Sequence, residues 1–332
     1  MSRIVNVILS GGIGSRLWPL SRKSCPKQYL EIFEGKSLFE LTVSRNKALS
    51  DLFLVVGNKD NYLLSRACME KAGVSDFQEL VEATPRNTAA AIAFAAFDIK
   101  EDDLMLICPS DQLIGDPDLY QKSVQEAVDL AKKGNLVTFG LLPTRAETGF
   151  GYIESQGNDV ISFREKPNKE QAEAFLASGN FLWNSGMFCF QAKVYLEALK
   201  QHAPEVYATA KSAYEQRKDI YLPMEASMEI PSISIDYAVM EKSNKIKVVP
   251  SAFSWSDMGS FEALYDHIPE NSLEKSGSNL ALNSDKKVVF LGVENIIFVE
   301  TADAILILDK GHAQEVKKIY EKLEKEDPKY LD

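Results

Sequence analysis

The chain has 332 residues, 45% hydrophobic and 26% charged, a composition that suits a folded globular protein with one large domain and a smaller one. A formal net charge of −11 argues against nonspecific nucleic-acid binding, which needs a positive field, but leaves room for a locally positive site that takes a small anion. Four scattered cysteines and three distant histidines argue against a disulfide framework, a zinc site, or a chemistry that leans on several histidines.

The first apolar run, Ile4–Leu9, is too short for a signal-peptide core or a membrane span. No later run has the length of a membrane helix, so a cytoplasmic protein without a membrane partner is expected. Ile4–Leu9 reads as the first buried strand and Leu52–Val56 as the second. Ala89–Ile99 is an Ala-rich helix, Leu104–Cys108 a strand, and Asp118–Lys133 a helix stopped by Gly134. Leu136–Leu141 is a further strand. This alternation predicts an α/β domain with a mostly parallel sheet. Beyond Pro143 come the β candidates Val160–Phe163, Met187–Phe190 and Lys245–Val249, with helices near Ala192–Gln201 and Pro204–Arg217. Past Pro269, Val288–Leu291, Ile296–Val299 and Ala304–Leu308 form closely spaced strands before a charged helix from about His312 to Lys325. A boundary near 268 is expected, with residues 1–268 as the main domain and 269–332 as a small β unit ending in a helix.

The first strand runs into Ser10-Gly11-Gly12-Ile13-Gly14-Ser15-Arg16-Leu17. Glycines there let the backbone approach phosphates and turn amides toward them. Neither of the two best-known phosphate motifs fits. Leu17 stands where the dinucleotide fingerprint needs its third glycine, and Leu30 where the pattern ending Gly35-Lys36-Ser37 needs its first. Arg16 and Lys27 supply cations nearby, a guanidinium fork and a point charge. The alternative is a tight turn with solvated basic residues.

Asp111 lies just past the end of a predicted strand, and Asp257 sits in the small-residue loop Trp255-Ser256-Asp257-Met258-Gly259-Ser260. Two carboxylates with room for waters and phosphate oxygens suit Mg²⁺; both could instead be helix caps. Asn87 or Thr88 is the default cap of the Ala-rich helix, whose amides could also face a base or phosphate. Glycines beside aromatics and amides at 148–152, 163–167 and 183–188 suit a sugar, and Asp236 is an acid in an apolar stretch that calls for a partner.

Taken together, Gly-Gly-Ile-Gly-Ser-Arg-Leu-Trp-Pro-Leu (11–20), Pro-Lys-Gln (26–28), Thr-Pro-Arg-Asn-Thr-Ala (84–89) and Pro-Ser-Asp (109–111) resemble the mannose-1-phosphate guanylyltransferases. The resemblance continues through Thr-Gly-Phe-Gly-Tyr-Ile (148–153), Glu-Lys-Pro (165–167), Trp-Asn-Ser-Gly-Met-Phe (183–188), Ser-Ile-Asp-Tyr-Ala-Val-Met-Glu (234–241) and Trp-Ser-Asp-Met-Gly-Ser (255–260). It implies a Rossmann-like mixed sheet flanked by helices, a small C-terminal β-helical domain used in homodimer contacts, and a short form without the isomerase domain of many relatives. It implies GTP and mannose 1-phosphate as substrates and Mg²⁺ as cofactor. Gly11, Gly12, Gly14 and Arg16 would wrap the phosphates with Lys27, and Arg86 and Asn87 would lie toward the guanine. Asp111 and Asp257 would hold the metal, and Gly149, Glu165, Lys166, Asn184 and Asp236 would line the sugar-phosphate pocket. The chain departs from the family at Ile13-Gly14-Ser15, usually Ser-Gly-Thr, and at Gln112, often His. The first change removes a hydroxyl that could touch a phosphate.

The residue inventory fits direct transfer. A sugar phosphate is largely ionised near neutral pH and can attack a phosphorus without a serine, cysteine or histidine nucleophile. Catalysis is then alignment and charge neutralisation, with Arg16 and Lys27 on the departing pyrophosphate. Competing readings are a related enzyme for another base or sugar, a noncatalytic nucleotide-sugar sensor, and a nicotinamide oxidoreductase.

Overall fold

The computed structural model describes residues 2–33 and 35–332. Contacts divide the chain into two compact units. The first takes the segments up to Gly11, Thr42–Ser110 and Ile114–Trp255; the second takes Gly12–Leu41, Asp111–Leu113 and Ser256–Asp332. This division differs from a single cut at 268. The reason is apolar: Leu17, Trp18 and Leu38 share a core with Phe261, Leu264, Ile297, Val299 and Val316.

The first unit is built on a nine-stranded sheet. Its spatial order is Gln78–Glu82, Leu52–Asn58, Ile4–Leu9, Leu104–Pro109, Phe181–Gln191, Leu136–Leu141, Ile246–Ser251, Asp159–Glu165 and Gly151–Gln156. Seven strands point one way; Phe181–Gln191 and Asp159–Glu165 run against them. The sheet is thus mixed but mostly parallel, as the alternation predicts. Strands buried on both faces read as continuous apolar runs because each face has its own cover. Met105 and Ile107 join the core on one face, with the Asn87–Asp98, Ala192–His202 and Pro204–Glu215 helices. Leu104, Leu106 and Cys108 join the core on the other, with the Pro117–Ala131 helix. Ala89 through Ala96 are all buried, which explains the alanines: a helix enclosed all round needs small side chains for close approach. That helix starts at Asn87, and its cap position is Arg86, so neither Asn87 nor Thr88 is the N-cap.

The chain leaves Ile4–Leu9 toward one side of the sheet and later takes up the other side from Leu104–Pro109, the adjacent strand. The carboxyl ends of these two strands mark the point where strand order reverses, the usual ligand crevice of open α/β sheets. The glycine-rich segment and Asp111 follow these two ends directly in sequence.

The second unit carries a four-stranded sheet in the order Lys275–Ser276, Asn279–Leu282, Ile296–Glu300, Ile305–Asp309. The strand expected at Val288–Leu291 is absent: that stretch is irregular, with Val289 74% and Leu291 92% exposed. The strand lies instead at Asn279–Leu282, parallel to Ile296–Glu300, with Leu280 and Leu282 buried. An apolar run becomes a strand only where a partner ladder and a core receive it. A 3₁₀ turn at Lys310–Glu315 precedes the Val316–Glu326 helix, which buries Val316 and Tyr320 at i, i+4 spacing. Among the described residues no helix is long and apolar enough to cross a membrane. None of the four cysteines is in a disulfide.

Candidate active site

Within the second unit the glycine-rich loop is held by its carbonyls. Gly12 O accepts from Gln28 Nε2 (3.3 Å), Ile13 O from the Lys27 amide (3.0 Å), and Gly14 O from Ser21 Oγ (2.7 Å) and the Leu17 amide (2.9 Å). In a trans peptide the N–H points opposite to the C=O, so the amides of Ile13, Gly14 and Ser15 turn away from these partners. Three successive amides presented together form an anion-binding concavity. Gly12 and Gly14 have φ of 82° and 76°, in the left-handed region. At Gly14 a Cβ would fall 2.4 Å from Lys27 Cβ, so only glycine fits. Arg16 is exposed and has no acidic partner among the described residues.

Lys27 is not a solvated basic residue. Only 6% exposed, it places Nζ 2.9 Å from Asp111 Oδ2 and 2.7 Å from the Asp257 carbonyl. One ammonium therefore gathers both predicted aspartates. Neither is a helix cap: Asp111 lies in a turn, and the helix after Asp257 is capped by Ser260, whose Oγ accepts from Ala263. The Asp257 loop is constrained on both sides. Met258, fully buried, takes φ 46°, and a Cβ on Gly259 would meet Asp257 Oδ2 at 2.4 Å. A non-glycine residue in this region costs about 1–3 kcal/mol, which the buried Met258 side chain offsets.

The first unit assembles the other candidates in two groups. Asn87 adopts φ 69° and accepts the Thr88 amide, while Thr88 Oγ1 accepts the Ile235 amide at 2.9 Å. Arg86 Nε binds the Ile230 carbonyl at 2.6 Å. Glu82, absent from the sequence reading, ends the strand before this turn and takes the Arg86 amide. It is 7% exposed, and burial pushes its pKa up to about 8.

In the second group, Asn184 joins Thr138 and Asp236. Thr138 Oγ1 donates to Asn184 Oδ1 (2.9 Å), and Asn184 Nδ2 donates to Asp236 Oδ1 (3.0 Å). Asp236 opens a π-helical turn, Asp236–Met240, a distortion frequent at functional sites. Glu165 and Lys166 pair at 3.5 Å, with Lys166 at φ 46°. Burial, and then the Asp236 charge, raise the Glu165 pKa; burial raises that of Asp236 against its hydrogen bonds from Ser234 and Asn184. Gly149 is exposed, and its amide caps Glu147 (3.0 Å). The glycine under constraint is Gly151, where a Cβ would meet Glu165 Oε2 at 2.4 Å. Phe150 stands edge-on to Trp183 (5.3 Å) and Trp255 (5.2 Å).

The Nucleotidyl transferase family model matches residues 5–272, so the chain is a nucleotidyltransferase. The chain belongs to the mannose-1-phosphate guanylyltransferase family: it is 36% identical over 353 residues to "Mannose-1-phosphate guanylyltransferase 2" of Escherichia coli O157:H7, covering 96% of this chain and 73% of that one. Residues 276–323 match the MannoseP isomerase/GMP-like beta-helix domain. A solved Thermus thermophilus protein, described as a mannose-1-phosphate geranyltransferase, superposes with TM-score 0.82 and 30% identity over 97% of this chain and 99% of its own. A Helicobacter pylori structure, described as a mannose-6-phosphate isomerase, reaches TM-score 0.70 and 38% identity over 76% of this chain and 99% of its own.

Proposed function

We propose that the chain transfers GMP from GTP to mannose 1-phosphate, releasing GDP-mannose and pyrophosphate. The observation that carries this reading is the carbonyl clamp on Gly12–Gly14, which frees three amides for a polyphosphate beside the Lys27–Asp111–Asp257 cluster. In this reading the loop amides and exposed Arg16 bind and orient the triphosphate, beside Lys27 with Asp111 and Asp257. Arg86 and Asn87 are assigned to the base, and Gly149, Glu165, Lys166, Asn184 and Asp236 to the sugar phosphate. A sugar-phosphate oxygen bonds to the α-phosphorus as the bond to the β-phosphate bridging oxygen breaks, and the electron pair leaves with pyrophosphate. No protein nucleophile is consumed.

The donor set suits Mg²⁺. Asp111, a third exposed, would provide a carboxylate oxygen, and Asp257, whose main-chain carbonyl meets Lys27, would provide a second. Among the described residues no group of three or more His, Cys, Asp or Glu side chains could hold a metal. An ion here would be bound by one or two carboxylates and substrate phosphates. Bound there, Mg²⁺ would neutralise charge developing on the phosphates.

The test is pyrophosphate release over a grid of GTP, ATP, UTP and dTTP with mannose 1-phosphate or glucose 1-phosphate, with Mg²⁺ and after EDTA. GTP with mannose 1-phosphate is expected to give the highest kcat/KM, EDTA to abolish release, and added Mg²⁺ to restore it. No release with that pair refutes the reading. Mannose 6-phosphate isomerisation is assayed alongside, because the Helicobacter relative carries that name.

A further inference from the structure

We propose that Arg22 is a positioning residue for the glycine-rich loop, tying the loop's carbonyl clamp to the Thr301–Asp303 turn and to Tyr330. This inference rests on the phosphate reading of that loop. All five N–H donors of the Arg22 guanidinium are engaged. Nε donates to Pro19 O (2.8 Å), Nη2 to Asp303 Oδ1 (2.6 Å) and Thr301 Oγ1 (3.1 Å), and Nη1 to Asp303 Oδ2 (3.3 Å) and the Tyr330 carbonyl. The side chain is 10% exposed. A buried guanidinium with a full acceptor set fixes direction as well as charge, because its fork is planar.

The position of Arg22 in sequence decides what it fixes. Ser21, the residue before it, donates to Gly14 O. Arg22 and Cys25 close a turn through reciprocal amide–carbonyl bonds of 3.0 and 3.2 Å. That turn delivers Pro26, then Lys27 and Gln28, which hold Ile13 O and Gly12 O. All three loop carbonyls are therefore clamped by residues that flank Arg22. Two further bonds run in parallel: Trp18 Nε1 to Tyr330 O (2.9 Å) and the Lys23 amide to Leu331 O (2.7 Å), with Leu331 fully buried. Asp303 is itself pinned, since Thr301 Oγ1 donates to it at 3.0 Å. Arg22 thus carries most of the bonds that link residues 301–331 to the segment holding the phosphate loop, alongside those of Trp18 and Lys23.

The test compares wild type with Arg22→Lys and Asp303→Asn, each checked for folding by thermal melting. Arg22→Lys keeps the charge but loses the fork, and Asp303→Asn keeps the shape but loses the charge. Losing a charge-assisted bond of this kind is expected to speed hydrogen exchange of the 11–17 amides about tenfold, while peptides of the nine-stranded sheet stay within twofold. The KM for GTP is expected to rise about tenfold, with the KM for mannose 1-phosphate within twofold. Loop exchange at the wild-type rate in folded variants, or both KM values rising in step, overturns the proposal. Faster loop exchange in variants of a wild type that releases no pyrophosphate leaves the positioning role standing and removes the activity. Should Asp303→Asn not fold, Asp303→Glu, which displaces the carboxylate by one methylene, carries the same expectations.

Discussion

Replacing Glu82 by Gln isolates one buried acid beside the turn proposed to meet the base. Glu82 closes the Gln78–Glu82 strand, takes the Arg86 amide, and keeps Oε1 buried without a hydrogen-bond partner among the described residues. Burial raises its pKa to about 8 from an ordinary value of 4.5. Between these two values the folded chain holds a proton that the unfolded chain has lost, so unfolding releases a proton. Stability therefore falls as pH rises, by about 1.4 kcal/mol per pH unit, and levels off above about 8. Glutamine keeps the acceptor for the Arg86 amide and does not titrate. From pH 5 to 8 the variant should gain on wild type by up to about 4 kcal/mol, an upper bound set by three units of that slope. Urea midpoints for both proteins across pH 5 to 8.5, followed by tryptophan fluorescence, measure the difference. Parallel pH profiles would refute the argument, because Glu82 would then be charged and solvated in the folded chain.

Three further outcomes follow from the site. Gly14→Ala puts a Cβ into Lys27 at a φ of 76°, so turnover should fall about a hundredfold while the melting temperature drops by only a few degrees; equal activity would show that the loop is not clamped as described. Asp111→Ala and Arg16→Ala should each lower turnover roughly a hundredfold or more in steady-state pyrophosphate release, and wild-type-like rates in folded protein would remove their assigned roles. Asn184→Ala strips Asp236 and Thr138 of their shared partner. It should raise the KM for mannose 1-phosphate about tenfold and leave that for GTP within twofold, as initial-rate kinetics would report.

The parts of the fold that sequence reveals are those in which both neighbours of an element are apolar. Ile4–Leu9, Leu104–Pro109 and Leu136–Leu141 are continuous apolar runs because helices cover both sheet faces, and all three are legible. Gln78–Glu82, at the sheet's edge, and Gly151–Gln156, between Asp159–Glu165 and Phe181–Gln191, carry polar residues that blur the pattern, and they escape it. Val288–Leu291 shows the reverse error, an apolar run with no ladder to join. At the site, glycines and acids are visible as residue types, but their partners are not. That Lys27 would meet both Asp111 and Asp257 depends on long-range contacts, the one to Asp257 spanning 230 residues. The division of labour between Gly149 and Gly151 depends on where Glu165 lies. Arg22 offered a signal in hindsight: a cation in the apolar Trp18-Pro19-Leu20 context calls for an acid partner, here Asp303.

The grouping of Gly12–Leu41 with Ser256–Asp332 also bears on the order of synthesis. Leu17, Trp18 and Leu38 are made more than 200 residues before Phe261, Ile297, Val299 and Val316, the side chains that bury them. During that interval the glycine-rich segment lacks this core, and its apolar side chains stay open to wrong partners. Closing contacts over so long a stretch of chain is intrinsically slow. The packing around the glycine-rich segment is therefore completed only after residues 256–316 are made, and a nascent chain stalled before residue 256 would carry the loop sequence without that packing.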